Sequence, residues 1–462
     1  MTSPANQPLA PTPRPTLARK LGLFDASMIV MGGIVGAGIF INPYVVAQQV
    51  HTPMLILGAW IAGGVIALLG AFVYAELAAR MPYVGGQYAY LRQAYHPAVA
   101  FLYGWVLLLV IQTGGMAAVS ITFARYILDL TGARSPDWLV AALALGALTL
   151  INCLGVQPGS RVQSALMLMK IAAIAALVFC GAFLLGRPSQ FALHPILGER
   201  PSWHGLSLFG AAMVPVLFAY GGWQTANFIA GEIKDPRRNL PRGLLIGVGG
   251  VIALYVGVSW VCVRALGAAT LAATYTPASA VMRLALGATG VKLIALGIAI
   301  STLGFLSQSI LTAPRVYFAM AGDGLFFRAA ARIHPRTRVP VVAICLQSVW
   351  TIVIVLSGRY EQILNYVVSM DFLFFGLTAT CVFVFRRRES MGAPHLPDVG
   401  TTGYRVPGHP FTTALFVAAS WLLVGNTIYR YPANSLVGMA ILAAGVPVYF
   451  FWNSRRKGTA AE

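Results

Sequence analysis

The chain is a series of long uncharged runs divided by short polar stretches. A hydrocarbon core about 30 Å thick takes roughly 20 apolar residues per helix. The runs divide near 24–50, 54–79, 97–124, 138–154, 162–186, 206–232, 243–263, 293–320, 340–357, 362–385, 411–429 and 433–452. This pattern predicts an all-α polytopic membrane protein with twelve transmembrane helices. The first, third, sixth and eighth runs are longer than a perpendicular helix needs, which predicts tilt or an interruption.

Two runs carry interruptions of their own. Residues 31–42 read MGGIVGAGIFIN, with four glycines, and residues 218–224 read FAYGGWQ. Each glycine costs a helix about 1 kcal/mol relative to alanine, so a plain apolar cylinder would not use them. The two interrupted runs start five spans apart. An odd number reverses orientation, so spans one to five (23–186) and six to ten (206–386) fit an inverted repeat, with 411–452 as two peripheral helices. Unwound backbone at membrane depth is tolerated where it is buried or lines a cavity. Matched breaks in the two halves point to a ligand site near the midplane.

The backbone itself suggests the ligand. Free N–H groups at the start of a half-helix suit an anion, and free carbonyls at the end of the preceding half suit a cation. A zwitterion fits both. The expected contacts are the Ala37 and Gly38 N–H groups to a carboxylate, with the Ile34 carbonyl and those of Phe218, Ala219 and Gly221 around an ammonium. Gly36 lies between the first groups and belongs to the same candidate set. The competing reading is close helix packing, for which Gly32 and Gly36 have the small-xxx-small spacing. It explains one glycine stretch but explains a matched pair poorly.

Charge then orients the chain. With the loops assigned alternately, 21 basic residues fall on the cytoplasmic side and nine outside, with Lys170 and Arg315 inside spans. Both termini are therefore expected in the cytoplasm. The net charge of +19 follows from this topology and implies no nucleic-acid partner. A composition of 58% hydrophobic and 10% charged residues makes the lipid bilayer the surrounding medium, since soluble chains carry about 25% charged residues. Residues 1–20 hold five prolines and no acid, so 1–22 read as a disordered cytoplasmic tail; 453–462 form a second tail. The five cysteines lie in or beside apolar runs with no CxxC pair, which gives no metal site, disulfide framework or cofactor.

Five charged positions in or beside the runs need a reading. Glu76 and Arg80 have the spacing of a local helical ion pair. Arg315 near the end of span eight is expected to snorkel to the cytoplasmic surface. Asp371 has no partner among its neighbours in sequence and reads as a satisfied helix-interior acid or a proton relay. Lys170 interrupts span five at a depth where a cation costs about 2.5–3.5 kcal/mol on insertion scales. It either snorkels or reaches the unwound carbonyls near Gly32 and Gly33. No acid lies beside either break in sequence to receive a second positive charge, which favours a neutral substrate. HExxH, paired acids and Ser-His-Asp arrangements are absent from the spans, which argues against an enzyme.

The stretches GGIVGAGIF, PYVGGQYAYLRQAYHP (82–97), FAYGGWQTANFIAGEIKDPRRNLPRG (218–243), PRVYFAMAGDGLFF (314–327) and YRVPGHP (404–410) resemble the amino acid-polyamine-organocation transporters, most of all their L-type amino acid branch. The resemblance covers most of the chain. It implies a LeuT-type fold, a 5+5 inverted repeat with helices one and six broken, and a free amino acid as substrate. By the same resemblance, Phe218 closes over bound substrate as a gate, and Trp223 continues the pocket wall. Lys170 places its ammonium where sodium-coupled members of the wider fold hold an ion, so it becomes the coupling residue of a sodium-independent transporter. The expected activity is alternating-access transport of neutral L-amino acids, by exchange or proton coupling, in a bacterial inner (plasma) membrane. An antiporter for cationic amino acids or amines and a non-transporting amino acid sensor are the alternatives. Two departures matter. The family often has serine where Ala37 stands, and residues 125–137 lack the cysteine that bridges animal L-type subunits to a heavy chain, so no disulfide-linked heavy chain is expected.

Overall fold

The computed structural model describes residues 17, 19–185, 203–358, 360–391, 404–430 and 432–458. Residues 1–16 of the expected N-terminal tail, the loop 186–202 with Arg187 and Arg200, and 459–462 of the second tail lie outside the described residues. The chain is nearly all helix. In order these are α1 (Leu23–Ile34), α2 (Gly38–Gln49), α3 (Pro53–Arg80), α4 (Gln87–Ala94), α5 (Pro97–Val106), α6 (Gln112–Thr131), α7 (Asp137–Cys153), α8 (Val156–Phe179), α9 (Trp203–Tyr220), α10 (Pro236–Ala273), α11 (Pro277–Thr312), α12 (Pro314–Gly322), α13 (Val341–Ser357), α14 (Tyr360–Ser390), α15 (Phe411–Arg430) and α16 (Pro432–Gly458). Proline opens several of them, where its missing N–H would be unpaired in any case.

Every apolar run falls on helix. Eight described helices are long and apolar enough to cross a membrane, nine when the bent pair α1 and α2 counts as one span, and α7 and α13 are shorter apolar helices. The protein is thus a polytopic membrane protein. The long first run breaks between α1 and α2 with a 42° bend. The sixth stops at Tyr220 and resumes as a 3-10 helix, Trp223–Glu232. The third holds a π-helical turn at Leu107–Ile111, joining α5 to α6. The eighth is long because it takes in the end of α11 at Thr312 and α12, which opens at Pro314.

Charge misplaces other boundaries. Run seven ends before Arg264 in sequence, yet α10 continues to Ala273 through a kink at Gly267. Helix α4 lies in a stretch that the runs leave as loop.

The core is built from α10 packed on α3 and α1, α11 packed on α8 and α6, and α14 packed on α15. Polar pairs fasten the end of the core that carries Arg80, Arg386 and Arg405. Glu76, fully buried, accepts from Arg80 Nε at 2.9 Å, Arg386 Nη2 at 2.6 Å and the Val406 N–H at 2.7 Å. The local pair expected at Glu76 is therefore the centre of a wider clamp between α3, α14 and the approach to α15.

Arg315 does not snorkel. It is fully buried and pairs with Glu232 at 2.7 Å and 3.3 Å. A guanidinium here is held by a carboxylate 83 residues away in sequence, and removing one partner of such a buried pair costs about 3–5 kcal/mol. The Glu232 carbonyl also accepts the Lys20 and Leu21 N–H groups, and Lys234 N–H donates to the Leu21 carbonyl at 2.8 Å. Lys20 and Leu21 are thus tied to the backbone around Glu232, with Leu17 and Leu21 buried. Of the cysteines, Cys180, Cys262 and Cys381 are buried as expected for small apolar residues, whereas Cys345 is exposed on α13.

Candidate functional site

Val35, Gly36 and Ala37 separate α1 from α2, and here carbonyls and N–H groups fare differently. The carbonyls are taken. Ile34 O accepts the Tyr255 hydroxyl of α10 at 3.1 Å, Val35 O accepts Lys170 Nζ of α8 at 2.6 Å, and Gly36 O accepts Ser301 Oγ of α11 at 3.0 Å. All three donors are fully buried. The N–H groups of Gly36 and Ala37 meet no acceptor among the described residues. They precede the N-terminus of α2, where orphan donors and the helix dipole together favour an anion.

The break in span six is arranged the other way. Gly221 and Gly222 satisfy themselves with near neighbours: Gly221 N–H donates to Phe218 O at 3.2 Å, Gly222 N–H to Gln224 Oε1 at 3.1 Å, and Thr225 Oγ1 to Gly222 O at 2.6 Å. One cross-link comes from outside, Gln308 Nε2 of α11 to Thr225 Oγ1 at 2.5 Å. The Gly221 carbonyl meets no donor among the described residues. Ala219 lies in the last turn of α9, where a helix leaves carbonyls unpaired.

The two breaks touch. Gly222 has φ +106°, and a Cβ there would strike the Gly33 carbonyl. Farther along, the Cβ position of Gly38 lies 3.5 Å from Ala219 Cβ, and Asn42 Nδ2 donates to Pro215 O at 2.7 Å. At the other end Leu21 bridges to Ile233. The contacts step from 21 to 42 on one span and from 233 down to 215 on the other, so the spans run antiparallel with their breaks side by side. Ile34, Gly36, Ala37 and Gly38 are thereby brought beside Ala219 and Gly221. The Ile34 and Phe218 carbonyls each already accept one hydrogen bond, which leaves each a single lone pair for a ligand.

The two aromatic candidates are placed differently. Phe218 is 36% exposed, whereas Trp223 is 2% exposed. Trp223 packs edge-on against Tyr74 at 4.7 Å between ring centroids and lies near Phe375 and Phe416. It lines a narrow cavity with Gly221 and Phe372.

Lys170 reaches Val35, not Gly32 or Gly33 as expected. The register explains why. Ser160 Oγ bonds Asp25 Oδ1 at 3.0 Å, Gln163 Nε2 bonds Met28 O at 3.1 Å and Lys170 Nζ bonds Val35 O. Equal steps along both helices put α8 parallel to α1, and Lys170 falls level with the gap itself. Gln163, not the lysine, occupies the place beside Gly32, where a Cβ would strike its amide.

Sequence reasoning missed Tyr255, Ser301 and Phe305, whose ring lies 3.7 Å from the Cβ position of Gly36. A polar residue inside an apolar run was the signal for Ser301. Nothing in sequence marks the other two.

The profile that describes amino acid permeases matches residues 21–451. The large neutral amino acids transporter small subunit 2 of Rattus norvegicus is 30% identical over 450 residues, covering 96% of this chain and 82% of that protein. The serine/threonine exchanger of Bacillus subtilis (strain 168) is 30% identical over 446 residues, covering 95% and 98%. The human cystine/glutamate transporter is 26% identical over 441 residues, covering 94% and 85%.

Proposed function

We propose a substrate and a mechanism from the premise that the chain belongs to the amino acid permease family. It is an amino acid transporter and not an enzyme. Its substrates are neutral L-amino acids, moved by alternating access through twelve spans arranged as a LeuT-type 5+5 repeat, with both termini cytoplasmic and no disulfide-linked heavy chain. The names of the rat and Bacillus relatives, a large neutral amino acid transporter and a serine/threonine exchanger, agree with this substrate class.

One observation carries the reading: the opposite polarity of the two adjoining breaks. Among the described residues, the N–H groups of Gly36 and Ala37 on span one meet no acceptor and the Gly221 carbonyl on span six meets no donor. A carboxylate and an ammonium on one carbon fit that pair, with Ala37 and Gly38 holding the first and Ile34, Ala219 and Gly221 the second. The side chain then lies toward Phe218, whose exposed ring closes over it and excludes water. The Lys170 ammonium stands at the gap as a tethered cation, which makes bound sodium unnecessary and lets the lysine report the state of span one to span five.

The test is uptake into proteoliposomes with each of the twenty amino acids competing against one labelled neutral amino acid, in sodium and in choline buffers. Competition by neutral amino acids, unchanged in choline, supports the reading. Competition by lysine and arginine alone would move it to a cationic antiporter, and binding without flux would make the protein a sensor.

A further inference from the structure

Ser301 is the donor at the break whose behaviour differs most from that of its neighbours. Serine and threonine inside a helix usually bond back to a carbonyl of the preceding turn. Thr302, one residue on, does so, with Oγ1 3.1 Å from Ile298 O and 2.7 Å from Ala299 O. Ser301 instead reaches out of α11 to Gly36 O in another span, at 3.0 Å, from a fully buried position. The same face of α11 is shaped to the break. Gly304 abuts the Lys170 side chain, where a Cβ would strike it, and Phe305 lies against Gly36.

We propose that Ser301 is a positioning residue for the substrate carboxylate, acting through the peptide between Gly36 and Ala37 without touching the substrate. This rests on reading the span-one break as the carboxylate pole. A trans peptide is planar, and its C=O and N–H point in opposite directions. Fixing the Gly36 carbonyl on α11 therefore aims the Ala37 N–H away from α11. Lys170 fixes the preceding peptide in the same way through Val35 O. Between these two peptides stands Gly36, the residue type with the freest backbone, so without both anchors the plane is free to turn and the donor swings off target. Substrate recognition at this pole thus depends on a hydroxyl that acts through one intervening peptide group.

The test uses the full-length transporter in proteoliposomes with the preferred neutral amino acid and its amino alcohol, which lacks the carboxylate. Ser301→Ala should raise KM for the amino acid at least fivefold while the maximal rate per folded transporter stays near the parental value. It should also shrink the preference for amino acid over amino alcohol. Ser301→Thr, which keeps the hydroxyl, should return KM to within about twofold of the parent. A parental KM in the alanine variant, or threonine as impaired as alanine, overturns the proposal. If the parent itself binds amino acid and amino alcohol equally, the carboxylate pole is wrong and this inference falls with it; a parental preference that Ser301→Ala leaves intact sinks the role of Ser301 alone.

Discussion

The two breaks look alike in sequence, each a glycine cluster in an apolar run, yet they are held by different means. In span one, three successive carbonyls are fastened by side chains from three other helices, α10, α8 and α11. In span six, the turn closes on its own residues and takes a single cross-link from Gln308. Glycine supplies a gap; what surrounds the gap decides which pole of the peptide it offers. Side chains from other helices take the span-one carbonyls, and on the proposed reading the N–H groups left over suit an anion. The span-six turn pairs the Gly221 N–H with the Phe218 carbonyl and, among the described residues, leaves the Gly221 carbonyl without a donor, which on the proposed reading suits a cation. Ions, lysines or hydroxyls can serve as the external donors, and here all are side chains.

The contrast is broken most severely where the two segments touch. Gly222→Ala puts a Cβ on the Gly33 carbonyl in a conformation with φ +106°, so uptake should fall to background. Gly221→Ala is the control. Its Cβ would meet Phe218 O at 3.3 Å without a positive φ, and it should keep measurable transport. Radiolabelled uptake normalised to folded protein separates them, and equal loss in both would show that the contact is not what matters.

Next in size is Lys170→Ala, which leaves the buried Val35 carbonyl without its donor. An unsatisfied buried group costs about 1–3 kcal/mol, so uptake should drop roughly five- to hundredfold, while the parent transports equally in choline. A sodium requirement in the parent, or undiminished uptake in the variant, contradicts the tethered-cation role.

Gly38→Val sharpens the comparison from the donor side. Its branched side chain presses on Ala219, and binding should weaken about tenfold, roughly 1.4 kcal/mol. Gly38→Ala should weaken it less than threefold, because a Cβ there already sits at ordinary contact distance, 3.5 Å from Ala219 Cβ. Calorimetric titration distinguishes the two. Small effects are also expected at the proposed gate: Phe218→Ala should lower uptake a few-fold with Tm unchanged, and Phe218→Tyr should keep most of it. Parental uptake by the alanine variant would reduce Phe218 to packing.

Much of this was legible in sequence because membrane depth leaves few choices. Uncharged runs marked the helices, and glycine clusters marked the breaks at Gly36 and Gly221. What the runs could not show is pairing. Glu232 closes the sixth run and Arg315 stands near the end of the eighth; only the fold brings them together. Lys170 was found by its cost, but its partner depends on the register of α8 against α1, which three rungs fix and no single residue reveals. Tyr255 is invisible for a different reason, since a tyrosine in an apolar run is also an ordinary core aromatic. Charge misled at Arg264, because α10 runs on past the residue that ends the apolar stretch.

The division of labour between the breaks is tested most directly by a cryo-electron microscopy map of the transporter with its preferred amino acid bound. The account predicts the carboxylate within hydrogen-bond distance, about 2.7–3.2 Å, of the Ala37 and Gly38 N–H groups, and the ammonium against the Ala219 and Gly221 carbonyls. A substrate bound in the reverse orientation, or held by side chains away from both breaks, would contradict it.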